Sequence, residues 1–223
     1  MSDMIHSEGA LVAPSMVELG PLLERLLAGE FICAVSDESA FRRLEDDATR
    51  ERLDAFLRPL NRRLATSDEG SVYFLAWRVL DEAAREQLSR QLAETVSSLL
   101  PLLEWLQLVQ ETLGRDGLAS AGDVLKPADF SSRCEDNQGL RERLERLATD
   151  PFFGSQSEQL DAQIKQVFKR LREHGYLLQP HADRQYYVVT AKIDYLIDLV
   201  RFIRDEEHLP IDDQAPAGQE SLL

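Results

Sequence analysis

The side chains that could carry catalysis or bind a metal are few and poorly placed for either. The four histidines are His6, His174, His181 and His208, and only His174 and His181 could meet, at the two ends of one predicted strand. The acidic run at 45–47 is typical of a solvated helix face rather than of a general acid and base. The chain also lacks the phosphate-loop, dinucleotide-binding, nucleophile-elbow and zinc-protease motifs. We therefore predict a protein that is not an enzyme and that uses no cofactor or metal.

Positive charge is concentrated in one segment of an acidic chain. The 25 Lys and Arg residues stand against 40 Asp and Glu, for a formal net charge of -15. Of four consecutive blocks of the chain, only residues 156–192 contain more basic than acidic residues. This block also holds three of the four lysines. At about 100° per residue on a helix, Lys165, Lys169 and Arg172 fall within about 60° of one another and about 120° from the apolar stripe. These three residues predict an exposed basic ridge.

Two interpretations of this basic segment remain open. As a phosphate-contacting surface it would release counterions from a duplex, while the adjacent hairpin turn reaches a neighbouring stretch of backbone. A solvated helix face would have the same composition, since three cations give weak affinity and the rest of the chain repels DNA. The candidate DNA contacts are Lys165, Lys169, Arg170, Arg172, His181, Arg184 and Lys192.

One predicted helix carries more apolar surface than a single packing face requires. Residues 99–113 place leucines on nearly every side of the helix. A protein interface and burial between two domains explain this surplus equally well. The candidate interface residues are Leu100, Trp105 and Leu108.

Composition indicates a globular protein. Of 223 residues, 43% are hydrophobic and 29% are charged, which suits one or two modest cores. No apolar run reaches the roughly 18 residues that cross a bilayer, and the first thirty residues lack a signal peptide's basic start and apolar core. We expect a cytosolic protein. Cys33 and Cys134 lie too far apart for a redox or zinc motif and are predicted to be buried thiols.

Similar elements are predicted in the same order in both halves of the chain. The first half shows helix, short strand, helical spacing and a hairpin, at 15–28, 31–35, 36–57 and 60–77. After a connecting helix at 82–99, the second half shows an apolar helix, a loop or short helical turn, two helices, a hairpin and a last helix, at 101–113, 117–137, 138–148, 157–174, 176–190 and 191–206.

This order is that of a winged-helix domain, in which the hairpin is the wing. The predicted fold class is therefore mainly α with small β-hairpins, as two tandem winged-helix domains joined by a helical linker. The predicted segments are a flexible N-terminal tail at 1–14, winged-helix domain 1 at 15–80, a connecting helix at 81–100, winged-helix domain 2 at 101–207 and a flexible C-terminal tail at 208–223.

The end of the second predicted domain resembles a known family. Within residues 163–203 the chain reads FKRLREHGYLLQPHADRQYYVVTAKIDYLIDLVRFI. This stretch resembles the end of the MksE family, the KITE (tandem winged-helix) subunits of MksBEF condensins, which are related to MukE. The likeness is strongest over 152–205 and includes no catalytic motif.

The resemblance implies a non-catalytic scaffold and regulatory subunit of a bacterial SMC complex, cytoplasmic and nucleoid-associated. Its implied partners are an MksF-like kleisin, an MksB-like SMC ATPase, a second copy of itself and, weakly and without sequence preference, DNA; no membrane is implied. Chromosome condensation and partition, and plasmid defence, are both associated with such complexes. A stand-alone dimeric winged-helix transcription regulator is the alternative. Gln159, Gln163 and Gln166 could read base edges, but Glu158 and Asp161 flank them.

Overall fold

Amphipathic helices and short antiparallel strands alternate through the part of the chain that the computed structural model describes, residues 16–114 and 116–207. The tails predicted at 1–14 and 208–223 lie outside these residues. The mainly helical class with small hairpin sheets is confirmed.

The first unit has a three-stranded antiparallel sheet in the order β1-β3-β2, with three helices packed around it. Its hairpin pairs Arg62 with Trp77 and Thr66 with Tyr73. The elements are α1 (Met16–Leu27), β1 (Ile32–Cys33), α2 (Ala34–Glu45), α3 (Asp47–Leu57), β2 (Arg62–Thr66) and β3 (Val72–Trp77).

Local hydrogen bonds explain why the helical pattern at 36–57 is two helices. A capping box begins α2, in which the Ser36 amide donates to Cys33 Sγ at 3.4 Å and the Cys33 amide donates to Ser36 Oγ at 3.0 Å. Asp46 then caps α3, because its carboxylate accepts from the Thr49 amide at 2.9 Å. The two helices bury Leu44, Leu53 and Leu57 against α1 and the sheet.

The second unit repeats the sheet order, as β4-β6-β5. It is larger, because three helices rather than two separate its first strand from its hairpin. The elements are α4 (Glu82–Leu113), β4 (Val124–Leu125), α5 (Pro127–Asp136), α6 (Gln138–Thr149), α7 (Leu160–Glu173), β5 (Leu177–Leu178), β6 (Tyr187–Val189) and α8 (Lys192–Glu207).

One expectation for the chain organisation is wrong, and another is met in part. The connecting helix and the apolar helix are one continuous helix, α4, which runs through Pro101 and ends where Gly114 takes a left-handed conformation, φ 61°. The segment at 117–137, predicted as a loop or a short helical turn, contains β4 and the ten-residue helix α5. Helix α5 buries Phe130 against Phe168 of α7, with ring centroids 5.3 Å apart. The burial of Cys33 and Cys134 as free thiols is confirmed.

Candidate nucleic-acid interface and the groove between the two units

The basic ridge lies on α7, whose opposite face enters the core of the second unit. Ile164, Val167, Phe168 and Leu171 are buried there. Lys165, Lys169 and Arg172 are exposed, as their helical spacing predicts.

The ridge is joined to the second hairpin by a residue that the sequence reasoning did not single out. Arg172 Nη1 donates to Gln179 Oε1 at 2.8 Å, and Gln179 Nε2 donates to the carbonyl oxygen of Arg184 at 3.0 Å. Exposed His181 and Arg184 lie on the same turn. The structure therefore brings helix and turn together into one surface, which we call the basic face: Lys165, Lys169, Arg172, His181 and Arg184.

One carboxylate moderates the charge beside the basic face. Glu173 accepts a hydrogen bond from Arg170 at 3.1 Å and lies 3.8 Å from Lys169 Nζ. The hydrogen bond from Arg170 and the nearby charges of Lys169, Arg170 and Arg172 hold the pKa of Glu173 below its ordinary value. Arg170 also donates through Nε to the Phe152 carbonyl at 2.9 Å, so its guanidinium holds the 152–153 turn against α7.

Lys192 is not part of the basic face. Its Nζ donates to the carbonyl oxygen of His174 at 2.7 Å and lies 4.6 Å from the ring centre of Phe31 and 4.9 Å from that of Tyr176. Burial lowers the pKa of this amine to about 8. Lys192 thus lies between the two units, apart from the other candidate DNA contacts, and a DNA contact at this lysine stays a prediction.

Two of the three interface candidates are core residues of this chain. Trp105 is 1% exposed and Leu108 is fully buried, both within the main cluster of the second unit. They pack inside the unit because helices α5 and α6 lie against α4. Leu100 is 76% exposed on α4 and stays available to a partner.

The start of α8 contacts the first unit, and we call this contact the joint. Ser71 Oγ donates to Asp194 Oδ2 at 2.5 Å, and the Asp68 amide donates to Asp198 Oδ2 at 2.9 Å. Both donors lie in or beside the turn of the first hairpin. The ring of Tyr195 lies 4.9 Å from both Phe31 and Phe74. The tip of the first hairpin is therefore held by α8, whereas the tip of the second hairpin is exposed.

A groove of about 890 Å³ opens beside the joint, between the two units. Its walls are largely apolar and include the aromatic rings of Phe31, Trp77 and Tyr195. Arg62 and Lys192 are its cationic side chains, and no Asp or Glu of the described chain lines it. The Arg62 guanidinium stacks 3.2 Å above the Trp77 ring. Burial lowers the pKa of this guanidinium.

Neither a metal centre nor a membrane span is visible in the described ranges. Across 16–114 and 116–207, no three His, Cys, Asp or Glu side chains cluster so that they could hold an ion. Over the same ranges, no helix combines the length and apolarity that a membrane crossing needs.

Comparison with known proteins identifies the class and then the family. A family model described as condensin complex protein MksE matches residues 18–201, most of the chain. The protein is thus a condensin-complex protein. The chain belongs to the MksE family, which confirms the resemblance seen in its last third. No curated protein matches the chain.

Proposed function

We propose that this protein is a non-catalytic scaffold and regulatory subunit of a bacterial SMC complex. The match to the MksE family over residues 18–201 carries this proposal. In it, the chain forms a homodimer, binds an MksF-like kleisin and thereby joins an MksB-like SMC ATPase, in the cytoplasm and at the nucleoid. The purpose is chromosome organisation or defence against plasmids.

Both units are, in this proposal, winged-helix domains. The shared sheet order, first strand beside third, supports this interpretation. So does the element order of the first unit, which is helix, strand, two helices and hairpin. In the second unit α7 directly precedes the hairpin, which is the position of a recognition helix.

DNA contact through the second unit would be weak and independent of base sequence. The basic face offers cations to phosphates, which carry no sequence information. Two of the three glutamines that could read bases are engaged elsewhere, and only Gln159 is exposed. Buried Gln163 donates to the Ser157 carbonyl at 2.9 Å, and Gln166 donates to the Phe153 carbonyl at 2.9 Å. This engagement favours the scaffold over a sequence-specific transcription regulator.

The salt dependence of DNA affinity tests the basic face. Each phosphate contact contributes about 0.9 to the slope of log affinity against log salt concentration. Substituting Lys165→Glu with Lys169→Glu should therefore reduce the slope by about 2, measured by fluorescence anisotropy on the chain bound to its kleisin. Lys126→Glu is the matched control, because Lys126 is exposed outside the basic face. Equal losses in the two variants would contradict the proposed DNA contact.

Light scattering tests the scaffold itself. The chain, co-expressed with the kleisin of its own genome, should elute as one stable complex that contains two copies of the chain. Separate elution of a monomer and a free kleisin would refute dimerisation and kleisin binding. A regulator would instead give a defined footprint on one DNA site.

A further inference from the structure

Lys192 is a partly buried ammonium group that has no acidic partner among the residues that the structure describes. Its contacts are the His174 carbonyl and the faces of Phe31 and Tyr176. Buried charges in proteins are normally paired, because an unpaired one loses its hydration without compensation. The free amine is therefore unusually favourable at this position.

The charged groups near Lys192 are engaged elsewhere or carry the same sign as the lysine. On its own helix, Asp194 and Asp198 accept hydrogen bonds from the first unit's turn instead of pairing with the lysine. From the first unit, Arg62 adds a second cation to the groove. The other titratable groups lining the groove with Lys192 are His174, Tyr176 and Tyr195, and burial disfavours the charged form of each.

A large fraction of the Lys192 side chains carry an unprotonated, nucleophilic amine near neutral pH. With a pKa of about 8, roughly a quarter of the Lys192 side chains are free amine at about pH 7.5. For an ordinary lysine with a pKa of 10.5, the fraction is roughly a thousandth. Desolvation by apolar walls is a recognised way to activate a lysine as a nucleophile.

The same groove can hold an anionic reagent. Within the described residues, the Arg62 guanidinium makes no ion pair and stacks on Trp77 instead. A volume of about 890 Å³ is within the range of small-molecule sites. Among the described residues, a phosphate group that entered would find a guanidinium without an ion pair and no carboxylate in the groove lining.

We propose that Lys192 is a site of N-acylation by small acyl phosphates, with Arg62 attracting the phosphate. The amine attacks the carbonyl carbon, so that a C–N bond forms and the C–O bond to phosphate breaks. Inorganic phosphate leaves, and the amine proton passes to solvent. This site is independent of the proposed subunit role, since it needs only the folded chain.

Acylation would act on the contact between the two units. The product amide is neutral, so it loses the attraction between the ammonium and the Phe31 ring of the first unit. It also retains one N–H donor where the ammonium had three. Modification therefore weakens the joint.

The chain supplies its own controls, because it has four lysines and the other three are exposed: Lys126, Lys165 and Lys169. The full chain is treated with acetyl phosphate at about pH 7.5, and peptide mass spectrometry gives the initial acetylation rate at each lysine. Lys192 should react at least about tenfold faster than the other three, a margin far below the ratio of free-amine fractions. The preference should shrink as the pH approaches 10, and it should vanish in urea-unfolded chain. Equal or slower reaction at Lys192 in the folded chain would overturn the proposal.

A second variant tests the role of Arg62. Arg62→Gln should slow acetylation of Lys192 by acetyl phosphate about threefold or more, yet leave its reaction with an uncharged acetyl ester unchanged. An unchanged far-ultraviolet circular dichroism spectrum would verify the fold, because Arg62 stacks on Trp77 and its removal itself changes the tryptophan signal. An equal rate with acetyl phosphate in both proteins would refute the anion-holding role.

Discussion

Removing the two carboxylates of the joint should destabilise the protein measurably. The variant is Asp194→Ala with Asp198→Ala. The Ser71–Asp194 bond is short, partly buried and charge-assisted, a kind of bond worth about 1.5–3 kcal/mol. The Asp68–Asp198 bond is more exposed and contributes less. Ser71 also keeps its hydrogen bond to Ser67 at 3.0 Å, so its hydroxyl is not left unsatisfied.

The expected loss is therefore about 2 kcal/mol in the free energy of unfolding. With a urea slope of about 2–3 kcal/mol/M, the midpoint should fall by roughly 1 M. Tryptophan fluorescence is a suitable signal, because Trp77 lies in the first unit and Trp105 in the second.

Asp205→Ala provides the matched control, since Asp205 lies on the same helix and its side chain is 67% exposed. Among the ion pairs described, Asp205 takes part only in the one with its neighbour Arg204. This control should change the midpoint by less than about 0.5 M, because exposed ion pairs contribute about 0–1 kcal/mol. If the double variant unfolded at the same urea concentration as the control, the joint would not hold the units together.

Two further predictions concern the core and the groove. Trp105→Ala should lower the unfolding free energy by about 3–5 kcal/mol in urea titrations, whereas exposed Leu100→Ala should change it by less than about 0.5 kcal/mol; similar losses would mean that Trp105 is not a core residue. Lys192 has a folded pKa of about 8 against 10.5 when unfolded, so the unfolded chain binds more protons between these values. The unfolding free energy of the wild type should therefore rise relative to that of Lys192→Met between pH 8 and 10.5, by at most about 3 kcal/mol. If the unfolding free energies of the two proteins changed in parallel with pH, Lys192 would not be buried as described.

The elements with strong periodicity could be predicted from the sequence, and those without it could not. Helix α7 has a continuous apolar stripe, and Gly175 follows it with a positive φ of 76°. Helix α5 could be predicted only as a loop or a short helical turn, because only Phe130 and Cys134 of its ten residues are buried. The break expected at Pro101 is absent because packing of Leu102, Trp105 and their neighbours outweighs the roughly 3 kcal/mol cost of a helical proline.

The basic ridge could likewise be predicted from the sequence, whereas the contacts between the two units could not. Helical spacing alone places Lys165, Lys169 and Arg172 on one face, so the ridge could be found without a structure. The position of Lys192 could not, because its partners Phe31 and Tyr176 come from distant parts of the chain. For the same reason, no local pattern shows that α8 holds the first hairpin's turn.

Partner identity tests the central claim most directly. The protein should be tagged in its native host and purified gently, and the proteins that accompany it should be identified by mass spectrometry. A kleisin and an SMC ATPase should co-purify in constant proportion to the tagged chain across salt washes. Recovery of the chain alone, or as a dimer bound to one promoter region, would contradict its assignment as a subunit of an SMC complex.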